Sequence, residues 1–162
     1  MGKKVVIITS IFTLLIIFGG VFFLSQSNTP EVSASENAKA EVKTTTGDWG
    51  QIPMYKGNVT KTFTIKNIGR DKLKIFNVRT SCHCTKAMIT IDGTKSLAFG
   101  MNTVSSWVGE VASGKESKLT VVFDPAYHGP NGVGLIERFV SVETNDKLNA
   151  KITFAVSGTV YK

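Results

Sequence analysis

Alternation of apolar and polar residues is the feature that most restricts the fold of this 162-residue chain. A period of two predicts β-strands that bury one face and expose the other. Strand character appears in six segments of the sequence: 59–65, 73–78, 87–91, 119–123, 138–143 and 152–156. Turn-forming Gly, Asn and Asp residues separate these segments, and no sustained helical stripe follows residue 24. Six to eight short strands predict an all-β, immunoglobulin-like β-sandwich, without the Cys…Trp…Cys spacing of antibody domains.

An uncharged apolar run over residues 5–24 precedes this domain. As a helix it would be about 30 Å long, which is enough to cross a bilayer core. Lys3 and Lys4 come before the run and no basic residue follows until Lys39, so the positive-inside rule predicts a cytoplasmic N-terminus. Cleavage as a signal sequence after Ala34 is the alternative. The length of the run and the polar residues before Ala34 favour an uncleaved, single-pass anchor over residues 1–24.

The next segment, residues 25–46, is rich in Ser, Thr, Asn, Ala and Glu. Such a composition buries too little apolar surface to offset the entropy of ordering. We therefore predict a flexible tether, with a short edge strand within residues 40–45. The remaining residues, 47–162, are enough for one domain with a single core.

Several short motifs along residues 48–160 resemble the DUF1573 family, a bacterial group of unknown function related to ASH/Hydin-type immunoglobulin-like domains. In chain order the motifs are 49–52 (WGQI), 57–59 (GNV), 67–69 (NIG), 73–75 (LKI), 81–85 (SCHCT), 121–125 (VVFDP), 142–146 (VETND) and 156–158 (VSG). The resemblance implies the immunoglobulin-like fold and a location outside the cytoplasm, and it implies no established activity. The chain departs from the family at His83, where Gly is usual, at residues 113–115, and in a longer link over residues 88–107.

Both cysteines of the chain lie in one C-x-C motif, Cys82-His83-Cys84. In an extended strand, Cys82 and Cys84 would project from the same face and His83 from the other. Three interpretations remain open. The thiols form a small-ring structural disulfide, bind a soft metal, or exchange disulfides with client thiols. The absence of a thioredoxin-like βαβ pattern counts against the third interpretation.

Soft-metal binding would use Cys82 and Cys84 as ligands, with His83 as a weaker candidate. Two thiolates do not complete a four-ligand site, so His83, His128 or a methionine would have to contribute. Cu(I) accepts fewer ligands than Zn(II), which makes Cu(I) the better candidate of the two. His128 lies in a Gly-rich turn, where we expect a solvent-facing side chain, with metal ligation as the alternative.

The formal net charge of +7 favours anionic partners at a cell surface, although the lysines are dispersed. The sequence contains no phosphate-binding loop, nucleophile elbow, H-E-x-x-H motif or nucleic-acid-binding motif. No catalytic or cofactor-binding residue is therefore assigned. We predict a membrane-anchored, extracytoplasmic, non-enzymatic module of the bacterial envelope that binds or assembles with an unidentified protein or envelope component. Metal binding and thiol exchange at the C-x-C motif are the alternatives.

Overall fold

A computed structural model describes the backbone of residues 2–24 and 30–162 and, within the first helix, the side chains of residues 2 and 7–18. The first element is helix α1, Gly2–Leu24. The predicted anchor, residues 5–24, falls on this helix, and part of its side chains lies outside the described residues. Across the residues that are described, no helix has both the length and the apolar character needed to cross a membrane. Residues 25–29 of the predicted tether also lie outside the described residues.

Ten β-strands follow in the described part of the chain. They are β1 (Ala40–Glu41), β2 (Thr46–Pro53), β3 (Val59–Asn67), β4 (Leu73–Thr80), β5 (Thr85–Ile91), β6 (Thr94–Lys95), β7 (Val108–Val111), β8 (Glu116–Phe123), β9 (Gly134–Thr144) and β10 (Lys151–Tyr161). One turn of 3-10 helix, Gly129–Gly132, lies between β8 and β9. Each of the six segments with strand character lies within one of these strands.

Two five-stranded sheets contain all of these strands, in the orders β1-β3-β8-β5-β6 and β2-β10-β9-β4-β7. Neighbouring strands are antiparallel, except that β2 runs parallel to β10. The all-β prediction and the immunoglobulin-like sandwich are therefore confirmed for the domain.

The core lies between the inner faces of the two sheets. Phe63 from β3 and Phe154 from β10 meet across it with ring centroids 4.9 Å apart. A second, smaller apolar cluster consists of Ile52, Met54, Cys84, Phe123, Ile136 and Val160. Cys84 is thus part of the packed interior, which places the C-x-C motif against this second cluster.

Residues 35–41, which we call the N-terminal strap, are attached to the sandwich. The backbone N–H of Ser35 donates to the carbonyl of Asn145 at 2.8 Å, and that of Ala40 donates to a carboxylate oxygen of Asp146 at 2.9 Å. The side chain of Ala38 is only 1% exposed and belongs to the main core. The strap lies inside the segment predicted as a tether. Composition did not reveal it, because backbone hydrogen bonds and one small side chain hold it rather than large apolar residues.

Candidate functional site

The C-x-C motif lies in the connection between β4 and β5, where the chain passes from one sheet to the other. The carbonyl of Cys82 accepts hydrogen bonds from the backbone N–H of Thr85 at 3.1 Å and from the hydroxyl of Thr80 at 3.0 Å. These bonds close a turn. The segment is therefore a loop rather than an extended strand, because the chain reverses here to change sheets.

The turn brings the two cysteines together as a disulfide. Cys82 and Cys84 are bonded, with a Cα–Cα distance of 5.2 Å, and no described cysteine is free. Disulfides generally have Cα–Cα distances of about 4.4–6.8 Å, so the turn supplies a spacing that a flat strand barely allows. The backbone N–H of Cys84 also donates to the sulfur of Cys82 at 3.2 Å.

The two sulfur-bearing residues have different surroundings. Cys84 is 3% exposed and packs in the second cluster, whereas Cys82 is partly exposed. The Nε–H of Arg138 donates to the Cys84 sulfur at 3.2 Å. The Nε2 atom of His128 lies 3.4 Å from the Cys82 sulfur. One sulfur therefore contacts a partly buried cation, and the other contacts an exposed imidazole.

Arg138 reaches the disulfide because it lies on the same face of β9 as the buried residues Ile136 and Val140. Its guanidinium lies over the ring of Phe123, with 5.5 Å from Cζ to the centroid, and Trp49 stacks on that ring at 5.3 Å. Burial lowers the pKa of Arg138 from its ordinary value. Within the described residues the ion pairs are Lys72–Glu110 and Lys147–Glu36, so Arg138 has no carboxylate partner there. Apart from the strand character of residues 138–143, no feature of the sequence indicates this contact.

His128 is held beside Cys82 by the turn that follows β8. The carboxylate of Asp124 accepts the backbone N–H of Ala126 at 2.9 Å, and the carbonyl of Ala126 accepts the N–H of Gly129 at 2.9 Å. The ring of Tyr127 contacts that of His128 edge-on, with centroids 5.1 Å apart. The side chain of His128 is exposed, as its place in a Gly-rich turn indicates, and it also contacts the disulfide.

A cluster of three potential metal-ligating residues results from this arrangement. One ligand atom each of Cys82, Cys84 and His128 lies within 4.8 Å of the others. His83 is exposed and does not belong to the cluster. As a disulfide the sulfurs are not thiolates, so the cluster offers a soft-metal donor set only after reduction.

Four exposed apolar residues lie in the chain segments that carry His128 and Arg138. We call this set the apolar rim: Tyr127, Val133, Leu135 and Phe139. Val133 and Leu135 line a cavity of about 390 Å³ together with His128 and Arg138. The backbone N–H of Ser81, which precedes Cys82, donates to the carbonyl of Phe139 at 2.9 Å, and the backbone N–H of Phe139 donates to the hydroxyl of Ser81 at 2.9 Å. The rim therefore belongs to chain segments that lie next to the disulfide.

The sandwich and its disulfide-bearing turn define the class of the domain as immunoglobulin-like with a C-x-C turn between its sheets. Residues 40–96 match the model of the DUF1573 family, described as a protein of unknown function. The match includes Cys82, His83 and Cys84. The resemblance to DUF1573 that the sequence motifs indicate is thereby confirmed over these residues.

Comparison with solved structures finds chains of similar structure. The structure is similar to the crystal structure of a protein of unknown function from Porphyromonas gingivalis W83, with a TM-score of 0.58 and 19% identity over 79% of this chain. It is also similar to the ASH/PapD-like domain of human CEP192 (PapD-like domain 7), with a TM-score of 0.49, 15% identity, and coverage of 81% of this chain and 91% of that one. The chain spans 49% of the length of the Porphyromonas protein. Comparison with curated proteins gives no match.

Proposed function

We propose that this chain is a non-enzymatic binding or assembly module of the bacterial envelope, and that it engages a protein partner through the apolar rim. The observation that carries the proposal is the exposure of Leu135, which is 83% exposed and lines, with Val133, the cavity that His128 and Arg138 also line. Exposed apolar residues are common singly, whereas apolar residues grouped beside a cavity are typical of an interaction site. His128 and Arg138 add polar groups that fix the orientation of a partner.

Site-specific crosslinking in cells tests this role. A photoreactive phenylalanine analogue replaces Leu135 in the full chain, and in a matched variant it replaces Leu148. Leu148 is 87% exposed and lies just beyond the opposite end of β9. We expect a light-dependent adduct of defined mass from position 135 and none from position 148. Absence of an adduct at position 135, or equal adducts from both positions, would contradict the proposal.

We further propose that α1 anchors the chain in the membrane, with the sandwich outside the cytoplasm. The uncharged run over residues 5–24 and the preceding Lys3 and Lys4 support this orientation. The disulfide agrees with it, because disulfides persist in oxidising compartments. Extraction of membranes at alkaline pH, combined with the intact mass of the purified chain, provides the test. Release of the chain into the supernatant, or a mass that begins after Ala34, would refute an uncleaved anchor.

A second candidate function is soft-metal binding by the reduced protein. It is supported by the cluster of Cys82, Cys84 and His128, whose ligand atoms lie within 4.8 Å of one another. Two thiolates and one imidazole suit three-coordinate Cu(I), whereas Zn(II) usually takes four ligands.

Matched histidine variants separate this candidate from adventitious binding. The full chain is reduced with a dithiol, freed of reductant without oxygen and titrated with Cu(I) or Zn(II). We expect one equivalent to bind, binding to be lost in Cys82→Ser, and affinity to fall in His128→Ala but not in His83→Ala. Equal effects of the two histidine variants, or full binding by Cys82→Ser, would exclude the cluster as the metal site.

A further inference from the structure

We propose that Cys82–Cys84 is a redox-active disulfide with a fixed polarity: an external thiol attacks the sulfur of Cys82, and the sulfur of Cys84 leaves as a thiolate beside Arg138. The proposal goes beyond a binding role and does not depend on it, because a small thiol is sufficient to test the chemistry.

Access selects the attacked sulfur. Cys82 is partly exposed and its sulfur lies 3.4 Å from the exposed His128, which lines the cavity at the apolar rim. Cys84 is 3% exposed and packs in the second apolar cluster. Because thiol–disulfide exchange depends on which sulfur the incoming thiolate reaches, attack at Cys82 is favoured.

Arg138 selects the leaving sulfur. Its Nε–H already donates to the Cys84 sulfur at 3.2 Å, and a thiolate at that position would receive a charge-assisted hydrogen bond. Burial in apolar surroundings generally disfavours a thiolate, whereas a neighbouring cation favours it. A thiol of lower pKa leaves faster. Arg138 therefore stabilises the leaving thiolate of Cys84, which burial alone would destabilise.

The surroundings of Arg138 in the disulfide form also support its role at the leaving sulfur. Its guanidinium has no carboxylate partner among the described residues, and burial lowers its pKa. The guanidinium is partly buried, and its Nη1–H donates to the carbonyl of Glu137 at 2.8 Å. Its Nε–H is directed at the Cys84 sulfur, so a thiolate formed there would lie beside a cation that no described carboxylate neutralises.

Reduction of the disulfide proceeds in two thiol–disulfide exchange steps. A thiol R–SH loses its proton, which the imidazole of His128 can accept at the attacked sulfur. The R–S⁻ nucleophile forms a new S–S bond with Cys82 while the Cys82–Cys84 bond breaks, and the bonding pair stays on Cys84 as a thiolate. A second thiol of the reductant then attacks the mixed disulfide and releases Cys82. Overall, two client thiols are oxidised to a disulfide and the protein disulfide is reduced to two thiols.

Mapping the mixed disulfide in the wild-type full chain tests the polarity without any variant. The detergent-solubilised protein reacts briefly with excess glutathione, is quenched in acid denaturant, and is labelled with N-ethylmaleimide. Peptide mass spectrometry then shows which cysteine carries glutathione. We expect glutathione on Cys82 and maleimide on Cys84 in large excess over the reverse isomer. A comparable or greater amount of the reverse isomer, or no adduct with millimolar glutathione, would overturn the proposal.

Charge variants of Arg138 test its contribution to the rate. Removing a neighbouring cation raises the pKa of an acidic group by about 1–3 units, and a Brønsted slope of about 0.5, as for attacking thiols, then gives about a tenfold slower reaction for Arg138→Gln. Arg138→Lys should retain most of the rate. Arg79→Gln is the matched control, because Arg79 lies on β4 and donates to Asn77 rather than to sulfur.

The outcomes of the rate experiment are distinct. A slow Arg138→Gln variant with rates near wild type for Arg138→Lys and Arg79→Gln supports the role of the cation. An unchanged rate in Arg138→Gln, or equal slowing by Arg79→Gln, would refute it. Tryptophan fluorescence of each variant shows whether the fold is retained, and the mapping experiment decides the polarity if Arg138→Gln does not fold.

Discussion

Asp146 attaches the N-terminal strap to the sandwich, and replacing it with Asn tests how the strap is held. One carboxylate oxygen of Asp146 accepts the backbone N–H of Ala40 and the side-chain amide of Asn149, both at 2.9 Å. The other accepts the backbone N–H of Leu148 at 2.9 Å. Asp146 is buried, so water does not readily replace these partners.

The magnitude follows from the geometry of an amide. Asn has one acceptor oxygen, so the side chain at position 146 can keep at most two of the three hydrogen bonds. The less costly orientation keeps Ala40 and Asn149 and turns the NH₂ group toward the N–H of Leu148. Losing one hydrogen bond to a charged group costs about 1.5–3 kcal/mol, and we therefore expect Asp146→Asn to lower the free energy of unfolding by about 2 kcal/mol.

The effect should depend on pH. Burial alone raises the pKa of Asp146, but hydrogen bonds from Asn149, Ala40 and Leu148 outweigh that effect and lower the pKa below its ordinary value. A lowered pKa in the folded state contributes stability above the unfolded-state value of about 3.9, and this stability is lost as the pH falls through the folded pKa. The difference in free energy of unfolding between wild type and Asp146→Asn should therefore be largest at neutral pH and decrease in acid.

Urea unfolding of the full chain, followed by tryptophan fluorescence, measures the difference. Asp92→Asn is the matched control, because Asp92 is an exposed turn residue with φ of 47°, a conformation that Asn tolerates. Its stability should change by less than about 0.5 kcal/mol. Equal effects of the two variants, or a difference for Asp146→Asn that grows in acid, would show that the carboxylate does not hold the strap.

Three further variants probe the strap and the turns by the same measurement. Gly69→Ala should lower the urea midpoint clearly, because an added Cβ would lie 2.1 Å from the carbonyl oxygen of Asn37; an unchanged midpoint would mean that the strap moves freely. Asn67→Ala should cost about 3 kcal/mol, since its buried amide makes three hydrogen bonds, and a loss below about 1 kcal/mol would contradict this. Replacing both Cys82 and Cys84 with Ala should cost only about 1.5 kcal/mol, because the disulfide closes a very short loop; loss of the fold would refute that estimate.

The strands that bury one face could be predicted from the sequence, whereas β2 could not. In β3 and β8 the side chains alternate between the core and the surface, so the apolar pattern has a period of two. β2 contains two glycines and only two apolar residues besides its final Pro53, and it has no such pattern. Its position depends on backbone pairing with β10, which involves residues far apart in the sequence. Hydrophobic periodicity does not report such a pairing.

The site could be predicted only in part for the same reason. The C-x-C spacing of the two cysteines could be recognised in the sequence. Their local geometry could not, because it depends on Thr80 and Thr85, whose hydrogen bonds to Cys82 close the turn. His128 and Arg138 reach the sulfurs from distant parts of the chain, one from a loop and the other from a strand. Spacing in the sequence gives no information about such approaches, since they follow from the way the sheets pack.

The parallel pairing of β2 with β10 has a consequence for biogenesis. β10 lies between β2 and β9, and its residues Phe154 and Val156 fill the core. Neither β2 nor β9 can complete its hydrogen bonds until β10 has left the ribosome. A nascent chain that still lacks β10 therefore stays open, with its apolar faces uncovered and available to chaperones. Such delayed closure would be compatible with the location outside the cytoplasm that we propose, because export through a narrow pore requires an unfolded chain.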